Sequence, residues 1–132
     1  MLGLVAAAPA ATADRAIAVI VHPTRNVVLD RDEVARIFLC KRRFWDDGTP
    51  IVPLNREPQS AERMRFTRII LVPVVSDVPR YWNEQYFHGT YPPAVLSSAA
   101  AVKRYVATER NAIGYVDVAD VDDTVRVVLT ID

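Results

Sequence analysis

Pro50-Ile51-Val52-Pro53-Leu54-Asn55-Arg56-Glu57-Pro58-Gln59-Ser60-Ala61-Glu62-Arg63-Met64-Arg65-Phe66 reads as a short buried strand, a polar turn carrying Arg56, and a helix that starts at Ser60. The first turn of a helix has backbone N–H groups without intrahelical partners, and it is the positive end of the macrodipole. A basic side chain in the turn just before it makes such a start suited to an anion. The same residues admit a plainer reading, in which Ser60 only caps its own helix and Arg56 sits in water.

Upstream, Ala16-Ile17-Ala18-Val19-Ile20-Val21-His22 is apolar and β-branched nearly throughout and stops at Pro23, as a strand covered on both faces does. Leu29-Asp30-Arg31-Asp32-Glu33 then opens a helix. Asp30 caps it, and Glu33 three residues on completes a capping box. Val34, Ile37 and Phe38 form its apolar stripe, and it ends near Leu39 or Cys40. Lys41-Arg42-Arg43-Phe44-Trp45-Asp46-Asp47-Gly48 follows as a basic-aromatic loop closed by an Asp-Gly turn. Phe44 and Trp45 are expected to pack back onto the first helix.

Downstream, the helix from Ser60 turns Phe66, Ile69 and Ile70 inward and fades at Val72-Pro73. Ser76 caps a further helix carrying Tyr81, Trp82, Gln85 and Tyr86, which Gly89 ends as the C′ residue. Tyr91-Pro92-Pro93 is a rigid connector. Ser97 or Ser98 caps the next helix, with Val102, Tyr105 and Val106 inward. Ala112-Ile113-Gly114-Tyr115-Val116 is a strand, Asp117 to Asp123 an acidic loop, and Val125 to Ile131 a last strand. Strands alternating with helices predict one α/β domain over residues 14–132, with no internal repeat.

Residues 1–13 look like the back half of a secretory signal peptide, with Ala11-Thr12-Ala13 a suitable cleavage site before Asp14. No Lys or Arg precedes the short apolar part. Either the true start lies upstream or this is an Ala-rich leader; the first reading is preferred, and it implies a periplasmic protein.

Composition narrows the function. In 132 residues, sixteen Lys and Arg balance sixteen Asp and Glu, so no global field calls for nucleic acid, and an anion site must be local. No apolar run is long enough to span a membrane. Cys40 is the only cysteine, so neither an intrachain disulfide nor a thiolate cluster can form. His22 and His88 lie in no catalytic or metal-ligand spacing, so neither catalysis, a metal nor a cofactor is expected.

Several of these segments, in order, resemble one family. They are Ile17 to His22 with Pro23 and Asn26, Leu29 to Val34 leading to Ile37-Phe38, Trp45 with Gly48, and Ile51-Val52-Pro53. Arg56-Glu57, Ser60, Arg63 and Phe66, then Tyr81-Trp82 with Phe87 and Gly89, and finally Ala112 to Val116 complete the set. Together they are similar to the phosphate-type substrate-binding proteins of ABC transporters, especially the short, one-lobed members. The resemblance implies a single periplasmic-binding-protein-like lobe with a mixed, mostly parallel sheet flanked by helices. It implies a periplasmic solute-binding module for phosphate or another small oxyanion, working with a membrane transporter.

The family's turn carries an Arg and then Ser-Gly-Thr. By resemblance Arg56 matches the Arg, Ser60 the Ser, and Arg63 the basic residue just beyond, while Ala61 stands at the Gly position and Glu62 at the Thr position. Ala61 adds a methyl where backbone approaches the ligand. Glu62 places a carboxylate where a hydroxyl would donate, and is expected to fill part of the anion site itself. A second departure is Cys40, where the family ends its first helix with Gly; either that helix end is altered or Cys40 is the last helical residue. These changes leave a second reading open: an interaction module of the same fold that has lost solute binding and meets an envelope partner. Its surface would be Lys41 to Trp45 or the edge near Trp82, Tyr86 and Tyr91.

Overall fold

β1 (Ile17–Val21) is buried at all five positions, and its alternate side chains enter two separate cores. The computed structural model describes residues 16–132; the expected signal segment and its cleavage site lie outside the described residues. The remaining elements are α1 (Arg31–Phe38), β2 (Val52–Arg56), α2 (Ala61–Phe66), α3 (Val78–Tyr86), β3 (Ala94–Leu96), α4 (Ala99–Thr108), β4 (Ala112–Asp117) and β5 (Arg126–Ile131). One sheet holds all five strands in the order β3-β2-β4-β1-β5. β2 pairs in parallel with β3 and β4, whereas β1 pairs antiparallel with β4 and β5. Four strands therefore run one way and β1 runs against them.

Both faces of the sheet are covered. Ile17, Val19 and Val21 of β1, with Ile113 and Tyr115 of β4, meet α1, the helix from Ser60 and the inner side of α3. Ala18 and Ile20, with Leu54, Ala112 and Val116, meet Val102 and Val106 of α4. This period-two sorting is why β1 and β4 read as apolar on both faces.

Caps set the helix boundaries. The Asp30–Glu33 capping box is formed in both directions, at 2.8 and 2.9 Å. Ser60 and Ser98 cap α2 and α4 as expected. At α3 the capping side chain is Asp77 rather than Ser76. Val78-Pro79 then follows directly, and Pro is welcome in a first helical turn because its missing N–H has no partner there. α2 continues as a π-helical turn over Thr67–Leu71, closed by Val72 N–H to the Thr67 carbonyl. Ile70 and Leu71 are buried on it, while Ile69 only packs at the core's edge.

The end of α1 differs from both expectations for Cys40. Cys40 takes a left-handed backbone, φ +59°, and so performs the task usually given to Gly. The N–H of Lys41 reaches the Arg36 carbonyl at 2.8 Å and that of Cys40 the Ile37 carbonyl at 3.1 Å, a Schellman closure. Gly89, φ +81°, closes α3 in the same way through Thr90 to Gln85 and Gly89 to Tyr86. A left-handed L-residue costs about 1–2 kcal/mol. Cys40→Gly is therefore expected to raise unfolding stability by about 1 kcal/mol in urea titration, with Cys40→Ala giving no such gain; equal responses would show that the backbone is unstrained.

Trp45 packs as expected, whereas Phe44 and Tyr105 sit otherwise than the sequence implied. Trp45 joins the α1 core and donates from Nε1 to the Asn111 carbonyl, but its neighbour Phe44 is exposed. Tyr105 is exposed beside buried Val102 and Val106. The three-residue strand β3 replaces what reads as connector.

Candidate anion-binding site

The site forms where β2 ends. The chain leaving β2 passes through α2 and α3 on one face, while the chain entering β4 comes through α4 on the other. In α/β sheets, ligands are taken outside the carboxyl ends of the parallel strands, and the end of β2 is such a place. Arg56 is the last residue of β2, not a member of the turn, and this is why it is buried instead of solvated.

Two layers hold it. Beneath, the Tyr115 hydroxyl donates to Asn55 Oδ1, and the Arg56 N–H is shared between Asn55 Oδ1 at 3.0 Å and the Tyr115 oxygen at 3.4 Å. Burial pushes the Tyr115 phenol well above its ordinary range, so it stays protonated and donates. Above, Arg56 Nε donates to Glu57 Oε1 at 2.9 Å, and Nη1 lies 3.5 Å from Glu62 Oε1. That second distance is an ion pair without a hydrogen bond, and the buried Nη1 has no hydrogen-bond acceptor among the described residues. A buried donor left so is costly, and an anion within reach would be held by it.

The remaining expected residues assemble around this guanidinium. Ser60 Oγ accepts from the Arg63 N–H at 3.0 Å, which leaves the Ala61 and Glu62 N–H groups at the open start of the helix. Arg63 Nη1 donates to the Arg56 carbonyl at 2.8 Å. Arg56, Ser60, Glu62 and Arg63 are thus linked in one place, with Ala61 between them in the chain and the Arg56 guanidinium facing the carboxylates of Glu57 and Glu62. Sequence reading missed Asn55 and Tyr115 as supports. Their contact joins residues sixty apart, and only the Ala-Ile-Gly-Tyr segment marked Tyr115 at all.

The histidines take no part. His22 follows β1 directly, with Nδ1 in contact with Thr24 Oγ1 at 2.8 Å, and His88 lies at the close of α3. Among the described residues no group of three His, Cys, Asp or Glu is placed to hold a metal ion, and no helix is long and apolar enough to cross a membrane.

Solved structures share this fold. The chain superposes on a protein described as a phosphate ABC transporter substrate-binding protein with bound phosphate, from Clostridium perfringens, with a TM-score of 0.72 and 26% identity, over 86% of this chain. Its fold is that of a substrate-binding-protein lobe. An ABC-type phosphate transport receptor from Vibrio cholerae matches at TM-score 0.69 and 21% identity, and PstS from Borrelia burgdorferi at 0.69 and 14%, each again over 86% of this chain. The chain spans less than half of these proteins, 44%, 45% and 46% of their lengths in turn. No protein-family model and no curated protein matches it by sequence.

Proposed function

We propose that this chain is a periplasmic solute-binding module of the phosphate-transport type, which takes phosphate or a similar small oxyanion at Arg56 in competition with its own Glu62. The observation that carries the reading is the buried Arg56 Nη1, which has a carboxylate 3.5 Å away and no hydrogen bond to it. Ser60, Ala61 and Arg63 would line the anion from the helix start. The likeness to the phosphate-bound Clostridium perfringens protein supports phosphate as the first ligand to try and a membrane ABC transporter as the partner. The same likeness supports a module that works by binding rather than by catalysis.

Glu62 sets the affinity. Two unit charges about 4 Å apart interact by about 1 kcal/mol in water and about 4 kcal/mol at an effective dielectric of about 20. Removing the negative charge is therefore expected to tighten phosphate binding by about one to three decades. Titration calorimetry of the parent, Glu62→Gln and Arg56→Gln with phosphate and sulfate is the test. Weak binding in the parent, a gain of tenfold or more in Glu62→Gln, and loss in Arg56→Gln are expected. Absence of any gain in Glu62→Gln would remove the oxyanion reading.

A second reading, an interaction module of the same fold that meets an envelope partner, is favoured by one observation. Tyr86, Phe87 and Tyr91 stand exposed in mutual contact, with ring centroids 5.9 Å apart for Tyr86–Phe87 and 5.5 Å for Tyr86–Tyr91.

A further inference from the structure

We infer that the Arg56 site takes a small zwitterion, a phosphate monoester or phosphonate bearing a primary ammonium group, with the oxyanion on Arg56 and the ammonium on Glu62. This rests on the oxyanion reading above and names the class of ligand within it.

Neither partner of the Arg56–Glu62 pair is satisfied. Arg56 is more than nine-tenths buried, at 8% exposure, and its buried Nη1 makes no hydrogen bond among the described residues. Glu62 Oε1 stands 3.5 Å from it, on a side chain with only 25% exposure. Among the described residues that carboxylate accepts no hydrogen bond, so charge alone holds the contact. A charge-assisted hydrogen bond is about twice as strong as a neutral one, and both groups forgo theirs. Glu62 lies in the first turn of α2, where its carboxylate can change rotamer without breaking a hydrogen bond.

The groups around the pair are committed. Arg56 Nε donates to Glu57 Oε1 at 2.9 Å, and Arg63 Nη1 donates to the Arg56 carbonyl at 2.8 Å. Arg56, Arg63, Glu57 and Glu62 sum to zero charge, so these four groups exert no net pull on a dianion.

An oxyanion hydrogen-bonded to Nη1 comes close to the Glu62 carboxylate, and the like charges repel. Phosphate or sulfate therefore drives Glu62 aside and leaves a mostly buried carboxylate without a cation, which is costly. An ammonium on the same ligand removes that penalty. It donates to Glu62 while the oxyanion accepts from Nη1, so one ion pair without a hydrogen bond gives way to two that have them. The total charge does not change. Nη1 and Oε1 are near enough for a spacer of about two carbons, each bond adding about 1.5 Å, to join the two ends. A hydroxyl in place of the ammonium could donate too, but would leave both carboxylates facing the oxyanion uncompensated.

Titration calorimetry of the full chain near neutral pH with phosphate, 2-hydroxyethyl phosphate and 2-aminoethyl phosphate is the test. In the parent, 2-aminoethyl phosphate is expected to bind about tenfold more tightly than the other two. Glu62→Gln removes no hydrogen bond and is expected to keep the parent's Tm. It should invert the order, weakening 2-aminoethyl phosphate by about tenfold while tightening phosphate. Equal affinity for the amino and hydroxy esters in the parent, with phosphate still bound, would overturn the inference and leave the oxyanion reading standing. So would a preference for the amino ester that survives Glu62→Gln, because another group would then hold the ammonium. Failure of all three to bind at millimolar concentration, in the parent and in Glu62→Gln, would end both.

Discussion

Phe66→Ala is expected to lower the unfolding free energy by about 3–5 kcal/mol, the range for emptying a buried aromatic site. Phe66 is fully buried, its ring stacked on Tyr115 with centroids 4.1 Å apart and planes within 3°, and Phe38 meets it edge-on at 4.7 Å. Such ring pairs add about 0.5–1.5 kcal/mol beyond the area they bury. Three elements therefore converge on this side chain: α1 through Phe38, β4 through Tyr115, and the helix from Ser60 through Phe66 itself. The consequence reaches the site, because Tyr115 supports Asn55 and the backbone of Arg56 from below. Equilibrium urea unfolding measures the loss. A change under about 2 kcal/mol would mean that the core closes over the gap, and that the aromatic trio does not position the end of β2.

Local chemistry was legible in the sequence wherever a residue acts on its near neighbours. The Asp30–Glu33 box, the Ser60 cap and the Gly89 close are decided within a few residues and are readable, and the α4 cap is readable as one of two adjacent serines, of which Ser98 serves. The paired cores of β1 and β4 follow from period-two alternation, and so did the covered α/β sheet. What was not legible depends on partners far along the chain. Arg56 was read in a turn because nothing local shows that β2 extends through it, beside Tyr115 of β4. Phe44 and Trp45 are adjacent, and no local rule says which enters the core; the Asn111 carbonyl, sixty-six residues on, satisfies the indole of Trp45. β3 is only three residues long and has no pattern of its own. Cys40 shows the converse case, where the tertiary need for a left-handed helix end overrides the residue's own preference.

The candidate site was legible as a set of residues but not as an electrostatic state. Its five expected members are named by the strand-turn-helix stretch and its likeness to a family pattern; hydrogen bonds and an ion pair join Arg56, Ser60, Glu62 and Arg63. The pairing of the one Arg56 guanidinium with two carboxylates needed coordinates. Glu57 contributes a share that no pattern assigned to it. Its own backbone N–H, followed by the Arg56 side chain, holds its carboxyl below the ordinary range, so it remains ionised beside Arg56. An oxyanion arriving at Arg56 would therefore meet Glu57 on Nε, already hydrogen-bonded, as well as Glu62 near Nη1, which is buried and without a hydrogen bond. This is why Glu62, rather than Glu57, is the carboxylate whose removal should matter.

Gly114→Ala is expected to cost about 2 kcal/mol, and to cost less when Val102 is also shortened. Gly114 lies in the middle of β4 facing α4, and its backbone is not in the left-handed region, so it is present for space rather than conformation. A methyl there would stand 2.6 Å from Val102 Cγ1, with Val106 Cγ2 at 3.6 Å and Leu54 Cβ at 3.8 Å behind it. Val102 is fully buried and cannot turn outward, so the added carbon forces α4 away from the sheet. Val102→Ala alone opens a gap and should cost about 2 kcal/mol. In the double variant the new methyl occupies that gap, and the total loss should fall short of the sum by about 1–2 kcal/mol. Urea unfolding of the four proteins in the cycle gives this coupling directly. Additivity within about 0.5 kcal/mol would mean that α4 is free to shift on the sheet. A large coupling would mean that Gly114 sets the distance at which α4 covers β4, and with it the packing of Leu54 immediately before Asn55 and Arg56.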